Sequence, residues 1–206
     1  MKTIFVLAIV TLSILKLCAQ GTVVFNNNVP GVVVTHIYFE PASPNPTFGN
    51  GPNDFPAGSQ TYSNNKGLFS GYAQLFASDR PDADASHLWE ASPVFAVANG
   101  TILNPSVVSL TDIPADSAAA MLQLRVWVNY SGFATNWWTA VGQQETAGMS
   151  PTFKVQNIGG EVNPAAYLTG LQSFAVPLTS SVPEPSTSGL VIMGVVGILL
   201  RQKYLL

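Results

Sequence analysis

Two histidines, His36 and His87, are the side chains best suited to move protons at neutral pH. His36 precedes Glu40, and His87 lies between Asp84 and Glu90. A hydrolytic triad needs a nucleophile, a positioned base and an orienting acid, so His87, Asp84 and a serine form the formal candidate. The chain has no Gly-x-Ser-x-Gly nucleophile elbow. We therefore expect solvated loop histidines, and we assign no catalytic residue and no cofactor.

Three carboxylates, Asp79, Asp82 and Asp84, fall within six residues. Calcium prefers such clusters of oxygen ligands in loops. The segment lacks the turn glycine and the later bidentate glutamate of a known calcium loop, and Arg80 offsets one charge. Two interpretations remain, a calcium site and a plain acidic hairpin loop. Because the full calcium-loop pattern is missing, the plain loop is favoured and we assign no metal.

Large aromatic side chains crowd another region, where Trp127, Trp137 and Trp138 lie near Tyr130 and Phe133. Exposed rings can stack on sugars, with nearby amide side chains supplying polar contacts. Large aromatics in β-sandwiches also pack between sheets. Two interpretations therefore stay open, a glycan-stacking surface and interior packing.

Short strands are the elements expected to position these residues. Runs of β-branched and aromatic residues alternate with turn residues, which is typical of a sandwich or barrel. The expected strands are residues 22–25, 32–39, 71–77, 93–98, 106–110, 121–130, 137–141, 152–155 and 173–177. In the clearest of them, Leu122, Leu124 and Val126 alternate with Gln123 and Arg125, as in a half-buried antiparallel strand.

Loops and turns separate these strands. Residues 41–67 contain too much proline and glycine for regular structure, so we expect a long loop there, held to the surface by Phe48 and Phe55. Residues 157–170 are a second irregular stretch. Asn99-Gly100 predicts a tight hairpin turn.

Composition limits the classes of function. Only 9% of the 206 residues are charged, against about 25% in a typical soluble domain. Residues 20–181 hold ten acidic and four basic side chains, so this part is mildly acidic and a nucleic-acid partner is not expected. A single cysteine excludes a disulfide scaffold.

The N-terminus has the pattern of a secretory signal peptide. Lys2 precedes an apolar run at residues 4–15, and the small residue Ala19 predicts cleavage before Gln20. Cys18 suggests a lipoprotein signal as a rival interpretation, but Lys16 and Leu17 are not the small residues expected before a lipidated cysteine. We therefore expect residues 1–19 to be removed.

The C-terminus has three consecutive parts. The first is the hexapeptide Val182-Pro183-Glu184-Pro185-Ser186-Thr187, whose prolines keep the chain extended. A membrane helix is expected at about residues 187–200, and Arg201 and Lys203 then form a basic stop that should stay cytoplasmic. Twelve apolar or glycine residues span only about 18 Å as a helix, so the anchor is marginal for a bilayer core of about 30 Å.

This arrangement closely resembles the PEP-CTERM sorting signal of Gram-negative bacteria that make extracellular polysaccharide. The resemblance implies that an exosortase-type enzyme processes the chain and that its contact with the inner membrane is transient. The basic end departs from the family, whose members often carry a run of arginines. Residues 19–27, 71–75, 122–127, 150–153 and 170–174 are similar to uncharacterised members common in verrucomicrobial proteomes, and these imply no activity.

The sequence thus predicts an all-β protein whose ectodomain, residues 20–181, is an antiparallel, jelly-roll-like β-sandwich. A signal peptide at residues 1–19 and the sorting signal at residues 182–206 flank it. We expect an exported protein of the cell surface or extracellular matrix, with a non-enzymatic structural or adhesive role in exopolysaccharide. The alternatives are a carbohydrate-binding module that uses exposed tryptophans and, third, a secreted hydrolase.

Overall fold

The computed structural model describes residues 19–41, 47–62 and 67–178. This part of the chain is all-β, as predicted, with one short helix, α1, at Trp137–Gly142 and a 3-10 turn at Ala85–His87. The strands are β1 Gln20–Phe25, β2 Asn28–Val29, β3 Val33–Val34, β4 Ile37–Pro41, β5 Gly71–Ser78, β6 Trp89–Glu90, β7 Phe95–Ala98, β8 Thr101–Ile102, β9 Ser106–Pro114, β10 Ala119–Trp127, β11 Ala147–Met149, β12 Phe153–Gln156, β13 Ala166–Tyr167 and β14 Phe174–Leu178.

Two long antiparallel strands, β5 and β10, form the centre of a seven-stranded sheet. They pair without a break from Met121 opposite Ser78 to Trp127 opposite Tyr72. The other edge of β10 pairs with β12 and β11, and the other edge of β5 pairs with β6 and β7. Strand β8 completes the sheet by pairing with β7.

The remaining strands form smaller sheets that are only partly antiparallel. Strand β1 lies between β9, which is antiparallel to it, and β13, which is parallel. Strands β14 and β4 form a second parallel pair, and β2 and β3 form a short hairpin. The prediction of an antiparallel fold is therefore wrong at two pairs. A hairpin turn can join only antiparallel strands, so these parallel pairs depend on long connections that the local pattern does not reveal.

One apolar core joins the three-stranded sheet to the large sheet. Fully or almost fully buried side chains come from β1, β9, β5 and β10, among them Val23, Phe25, Leu110, Leu75, Leu122 and Leu124. Alternation along β10 places Leu122, Leu124 and Val126 in this core, as the sequence predicts. Burial of these side chains removes apolar surface from water and stabilises the fold.

The opposite face of β10 is also buried, so the prediction of a half-buried strand is wrong. Gln123, Arg125 and Trp127 are at most 5% exposed. A second group, here called the outer cluster, covers this face and consists of Phe76, Ala83, Leu88, Trp127, Ala134, Trp137 and Ala140. Its members come from β5, the loop before β6, β10, the chain between β10 and α1, and α1 itself. Local alternation along β10 cannot show that such a cover exists.

Helix α1 occupies residues that the sequence analysis assigned to a strand, 137–141. Asn136 caps it: the Asn136 side chain accepts a hydrogen bond from the Thr139 N–H, and the Asn136 N–H donates to the Thr139 hydroxyl. Trp137 and Ala140, three residues apart, face the outer cluster. Capping and this one-sided burial outweigh the β-propensity of the tryptophans and Val141.

Two predicted connections have the expected form. Asn99 and Gly100 both have positive φ and join β7 to β8 in a tight hairpin. Residues 47–62 contain no strand of two or more residues but attach to their neighbours by single bridges, with Phe55 opposite Val34 and Phe48 opposite Phe174. The Phe48 and Phe55 side chains are 37% and 44% exposed, so backbone hydrogen bonds contribute strongly to holding this loop.

Candidate functional site

The three tryptophans for which glycan stacking and interior packing both stayed open have different environments. Trp127 is fully buried, and its Nε1–H donates to the Ala134 carbonyl at 2.9 Å. Trp137 is only 6% exposed, whereas Trp138 is 56% exposed. Of the two interpretations left open, interior packing holds for Trp127 and Trp137, which belong to the outer cluster, and glycan stacking is wrong for them. Among the three tryptophans, only Trp138 is exposed enough to stack on a sugar.

Arg125 lies within this aromatic region as an almost buried cation. Its guanidinium carbon is 3.8 Å from the centre of the Phe76 ring and 5.4 Å from that of Trp137. Arg125 Nη2 donates to the Ala85 carbonyl and Nε donates to Gln123 Oε1, each at 2.9 Å. Burial lowers the pKa of Arg125, but cation–π contacts and these hydrogen bonds compensate for lost hydration. Arg125, on β10, therefore holds the outer cluster against the large sheet through its contacts with Trp137 and the Ala85 carbonyl.

Ser86 is the serine that lies beside His87 and Asp84, the formal triad candidate. His87 Nδ1 lies 2.8 Å from Asp84 Oδ1 and 3.1 Å from Ser86 Oγ, and Ser86 Oγ donates to the same Asp84 oxygen at 2.6 Å. Hydrogen bonds from Ser86 and His87 lower the pKa of Asp84 to about 2. In a triad the acid and the serine contact opposite ring nitrogens. Here both contact Nδ1, so the group caps the 3-10 turn.

The carboxylates of the acidic segment are not gathered into a group that could hold a metal ion in the described part of the chain. Asp84 is directed to Ser86 and His87, as the cap of the turn. Within the described ranges, no group of three or more His, Cys, Asp or Glu side chains is placed to hold a metal ion. The calcium interpretation of Asp79, Asp82 and Asp84 therefore has no structural support.

His36 belongs to a buried network that the sequence analysis missed. Its Nδ1 lies 2.6 Å from Oδ1 of Asp54, a carboxylate that is 1% exposed. Asp54 Oδ2 also accepts hydrogen bonds from the Ser173 hydroxyl, at 2.7 Å, and from the Gly51 N–H. The Ser173 Oγ in turn accepts from the His36 N–H at 2.7 Å. Asp54 thus joins the loop at residues 47–62 to the chain just before β4 and to the chain just before β14.

The order of groups in this network does not suit nucleophilic catalysis. A serine nucleophile gives its proton to histidine, and the acid holds the far side of the histidine ring. Here the acid lies between the two, and Ser173 donates to Asp54. Ser173 is also fully buried, which excludes a substrate from its hydroxyl. The network is a structural clamp between three segments.

A small pocket with an exposed tryptophan at its edge lies beside the acidic loop. The pocket has a volume of about 340 Å³. Buried or nearly buried side chains, Ala77, Ser78 and Ile113, form its floor. Trp89 lines it and is 69% exposed, the largest exposed fraction among the described tryptophans. This combination is here called the Trp89 pocket.

The rest of the Trp89 pocket is polar. It is lined by Asp79, Arg80, His87 and Asp112. Asp112 has φ of 62°, a left-handed conformation that aspartate tolerates better than most residues, within an irregular part of β9 where the register against β1 shifts. The sequence contained one weak signal for this site: neighbouring residues of an extended segment point to opposite faces, so one of the adjacent apolar residues Leu88 and Trp89 must face outward. The structure buries Leu88 and exposes Trp89.

A wider groove of about 920 Å³ lies between β12 and the chain around β13. Its polar lining includes Lys154, Gln156, Asn157 and Asn163, and Tyr167 is its aromatic residue, with 42% exposure. The groove coincides with the second irregular stretch expected at residues 157–170. It offers amide groups and one cation to a ligand but less aromatic surface than the Trp89 pocket.

Both predicted processing regions fall largely outside the described residues. The sorting hexapeptide at residues 182–187, Arg201 and Lys203 lie there, as do residues 1–18 of the predicted signal peptide. Of the predicted cleavage pair, Ala19 is exposed and Gln20 is the first residue of β1. No helix within residues 19–41, 47–62 and 67–178 is long and apolar enough to cross a membrane.

Comparison with known proteins adds no relative: no family model, curated protein or solved structure matches this chain.

Proposed function

We propose that this chain is an exported protein that is sorted through residues 182–206 and acts without catalysis in an exopolysaccharide layer. The support is the succession of the signal-peptide pattern, the Pro183-Glu184-Pro185 motif, an apolar run and the basic residues Arg201 and Lys203. An exosortase-type enzyme would process the chain while its C-terminal helix holds it transiently in the inner membrane. The destination would be the cell surface or the extracellular matrix.

The ectodomain in this proposal is a β-sandwich of jelly-roll-like form. Its support is the core shared by two sheets, in which Val23 and Leu110 of the three-stranded sheet belong to one cluster with Leu75 and Leu124 of the large sheet. Two sheets that bury one face each against a common core are the general plan of a sandwich. Such a scaffold presents its loops and outer faces to a matrix.

The main support for a non-catalytic role is the order of hydrogen bonds around His36 and His87. Nδ1 of His87 contacts both the acid and the serine of its group, and in the His36 network Asp54 lies between the histidine and Ser173. Neither arrangement can pass a proton from serine to histidine with the acid behind the ring. A low content of charge further suits a neutral, polar surface within a glycan layer.

Co-sedimentation with extracted exopolysaccharide tests this role. The purified full chain, kept in mild detergent, is mixed with the insoluble polysaccharide, and both the pelleted protein and newly released reducing ends are measured. We expect the folded chain to pellet without releasing sugar, and a heat-unfolded sample serves as the matched control. Failure to pellet would remove the adhesive role, and release of sugar would replace it with a hydrolase.

A carbohydrate-binding module is the second candidate, and exposed tryptophan favours it. Trp138 and Trp89 are 56% and 69% exposed, which is unusual for the residue type. An exposed indole offers a flat apolar face that a sugar ring can cover. Under this alternative, binding would be specific for one glycan and would be lost on removal of one ring, whereas general adhesion would tolerate either loss.

A further inference from the structure

We propose that the Trp89 pocket binds one uncharged pyranose unit of a polysaccharide, with the Trp89 ring stacked on the sugar. This inference rests on the second candidate function, the carbohydrate-binding module, and names the surface that makes the contact. The volume of about 340 Å³ lies at the lower end of the range for ligand pockets, which suits one sugar unit better than a long segment of chain.

Trp89 supplies the apolar contact. Its side chain projects from the two-residue strand β6, whose pairing with β5 places Trp89 opposite Ala77. The neighbouring Leu88 is 3% exposed and anchors the segment in the outer cluster, so the backbone under Trp89 is fixed while its ring stays 69% exposed. Because the backbone is fixed, a ligand that covers the ring has to order only the side-chain torsions of Trp89.

The polar lining supplies hydrogen bonds of both kinds. Asp79 and Asp112 offer carboxylate oxygens that accept from sugar hydroxyls, and Arg80 offers guanidinium donors. Asp84 and Ser86 occupy Nδ1 of His87, and Nε2 of that ring has no hydrogen-bond partner among the described residues. A few polar groups around an apolar platform are the usual composition of a small-ligand site.

The charges of the lining select against acidic sugars. Two carboxylates, Asp79 and Asp112, face one guanidinium, Arg80, so the pocket has an acidic balance when His87 is neutral. A uronate carboxylate would meet like charge there. Hydroxyl groups, in contrast, can donate to either carboxylate. The guanidinium of Arg80 in turn places like charge against the ammonium group of an amino sugar. We therefore assign an uncharged pyranose and expect both uronates and cationic sugars to bind worse.

Binding to three soluble polysaccharides tests the assignment. The full chain in mild detergent is titrated with hydroxyethyl cellulose as the neutral probe, with alginate as the uronate probe and with chitosan as the cationic probe, and tryptophan fluorescence and affinity electrophoresis are recorded. We expect hydroxyethyl cellulose to bind, Trp89→Ala to weaken that binding about tenfold, and Trp89→Phe to retain most of it. Tyr167→Ala removes an exposed ring of the other groove and should leave binding unchanged.

A second variant keeps the test valid if Trp89→Ala fails to fold. Asp112→Asn keeps a residue type that tolerates positive φ but removes one acceptor charge, so it should fold and reduce the preference for hydroxyethyl cellulose over alginate. Circular dichroism and the urea midpoint check the fold of each variant.

The outcomes separate the site from the wider role. Unchanged affinity in Trp89→Ala, or alginate or chitosan as the best ligand, would overturn this assignment, yet pelleting with extracted exopolysaccharide would still support adhesion through another face. Failure of the wild-type chain to bind hydroxyethyl cellulose would also overturn the assignment. Failure to pellet with the extracted matrix would remove the proposed function itself.

Discussion

Replacement of Asp54 by alanine should strongly destabilise the protein. The carboxylate is 1% exposed and accepts hydrogen bonds from Gly51, Ser173 and His36. Its loss leaves two buried donors, the Gly51 N–H and the Ser173 hydroxyl, without a partner, and each such orphan costs about 1–3 kcal/mol. The His36 ring, 23% exposed, can turn to water instead. We expect a loss of about 4 kcal/mol in the free energy of unfolding.

Urea denaturation of the full chain, followed by fluorescence of the buried tryptophans, measures this loss. About 4 kcal/mol corresponds to a fall of about 2 M in the urea midpoint, and a chain with less stability than that would be unfolded without urea. Asp54→Asn keeps one acceptor oxygen and should lose about half as much. Asp82→Asn changes an exposed carboxylate and should lie within about 0.5 kcal/mol of wild type. An Asp54→Ala midpoint equal to that of Asp82→Asn would refute the clamp.

Two further predictions concern the tryptophans in and near the outer cluster and the 3-10 turn at Ala85–His87. Trp127→Ala should reduce the free energy of unfolding by about 3–5 kcal/mol and the half-exposed Trp138→Ala by much less, and equal losses in urea denaturation would contradict their assigned positions. Because hydrogen bonds from Ser86 and His87 lower the pKa of Asp84 to about 2, its ionised form stabilises the fold fully above about pH 4, and this contribution is lost as the pH falls toward 2. The difference in Tm between wild type and Asp84→Asn should therefore shrink over that range, and a difference that grew would show that the shift has the opposite sign.

Strands whose pattern is local could be predicted from the sequence. The alternation of Leu122, Leu124 and Val126 located β10, although its bounds moved from 121–130 to Ala119–Trp127. Asn99-Gly100 located the β7–β8 turn because its φ values require those residue types. The expected strand at residues 32–39 is instead divided between β3 and β4.

Features that depend on distant contacts could not be predicted in this way. Nothing in residues 137–141 shows that they cover the large sheet, so α1 and the burial of Trp137 were missed. The clamp joins Asp54 to Ser173, which are 119 residues apart. Trp89 gave a weak local signal, but its pocket also needs Asp112 from β9. Candidate sites on this fold are thus assembled by strand pairing rather than by sequence motifs.

Mass spectrometry of the mature protein, isolated from the surface or matrix of the producing bacterium, tests the proposed sorting most directly. We expect an N-terminal peptide that begins at Gln20 and the loss of the C-terminal apolar segment together with Arg201 and Lys203. A mature chain that retains residues 201–206, or that begins at Met1, would contradict it.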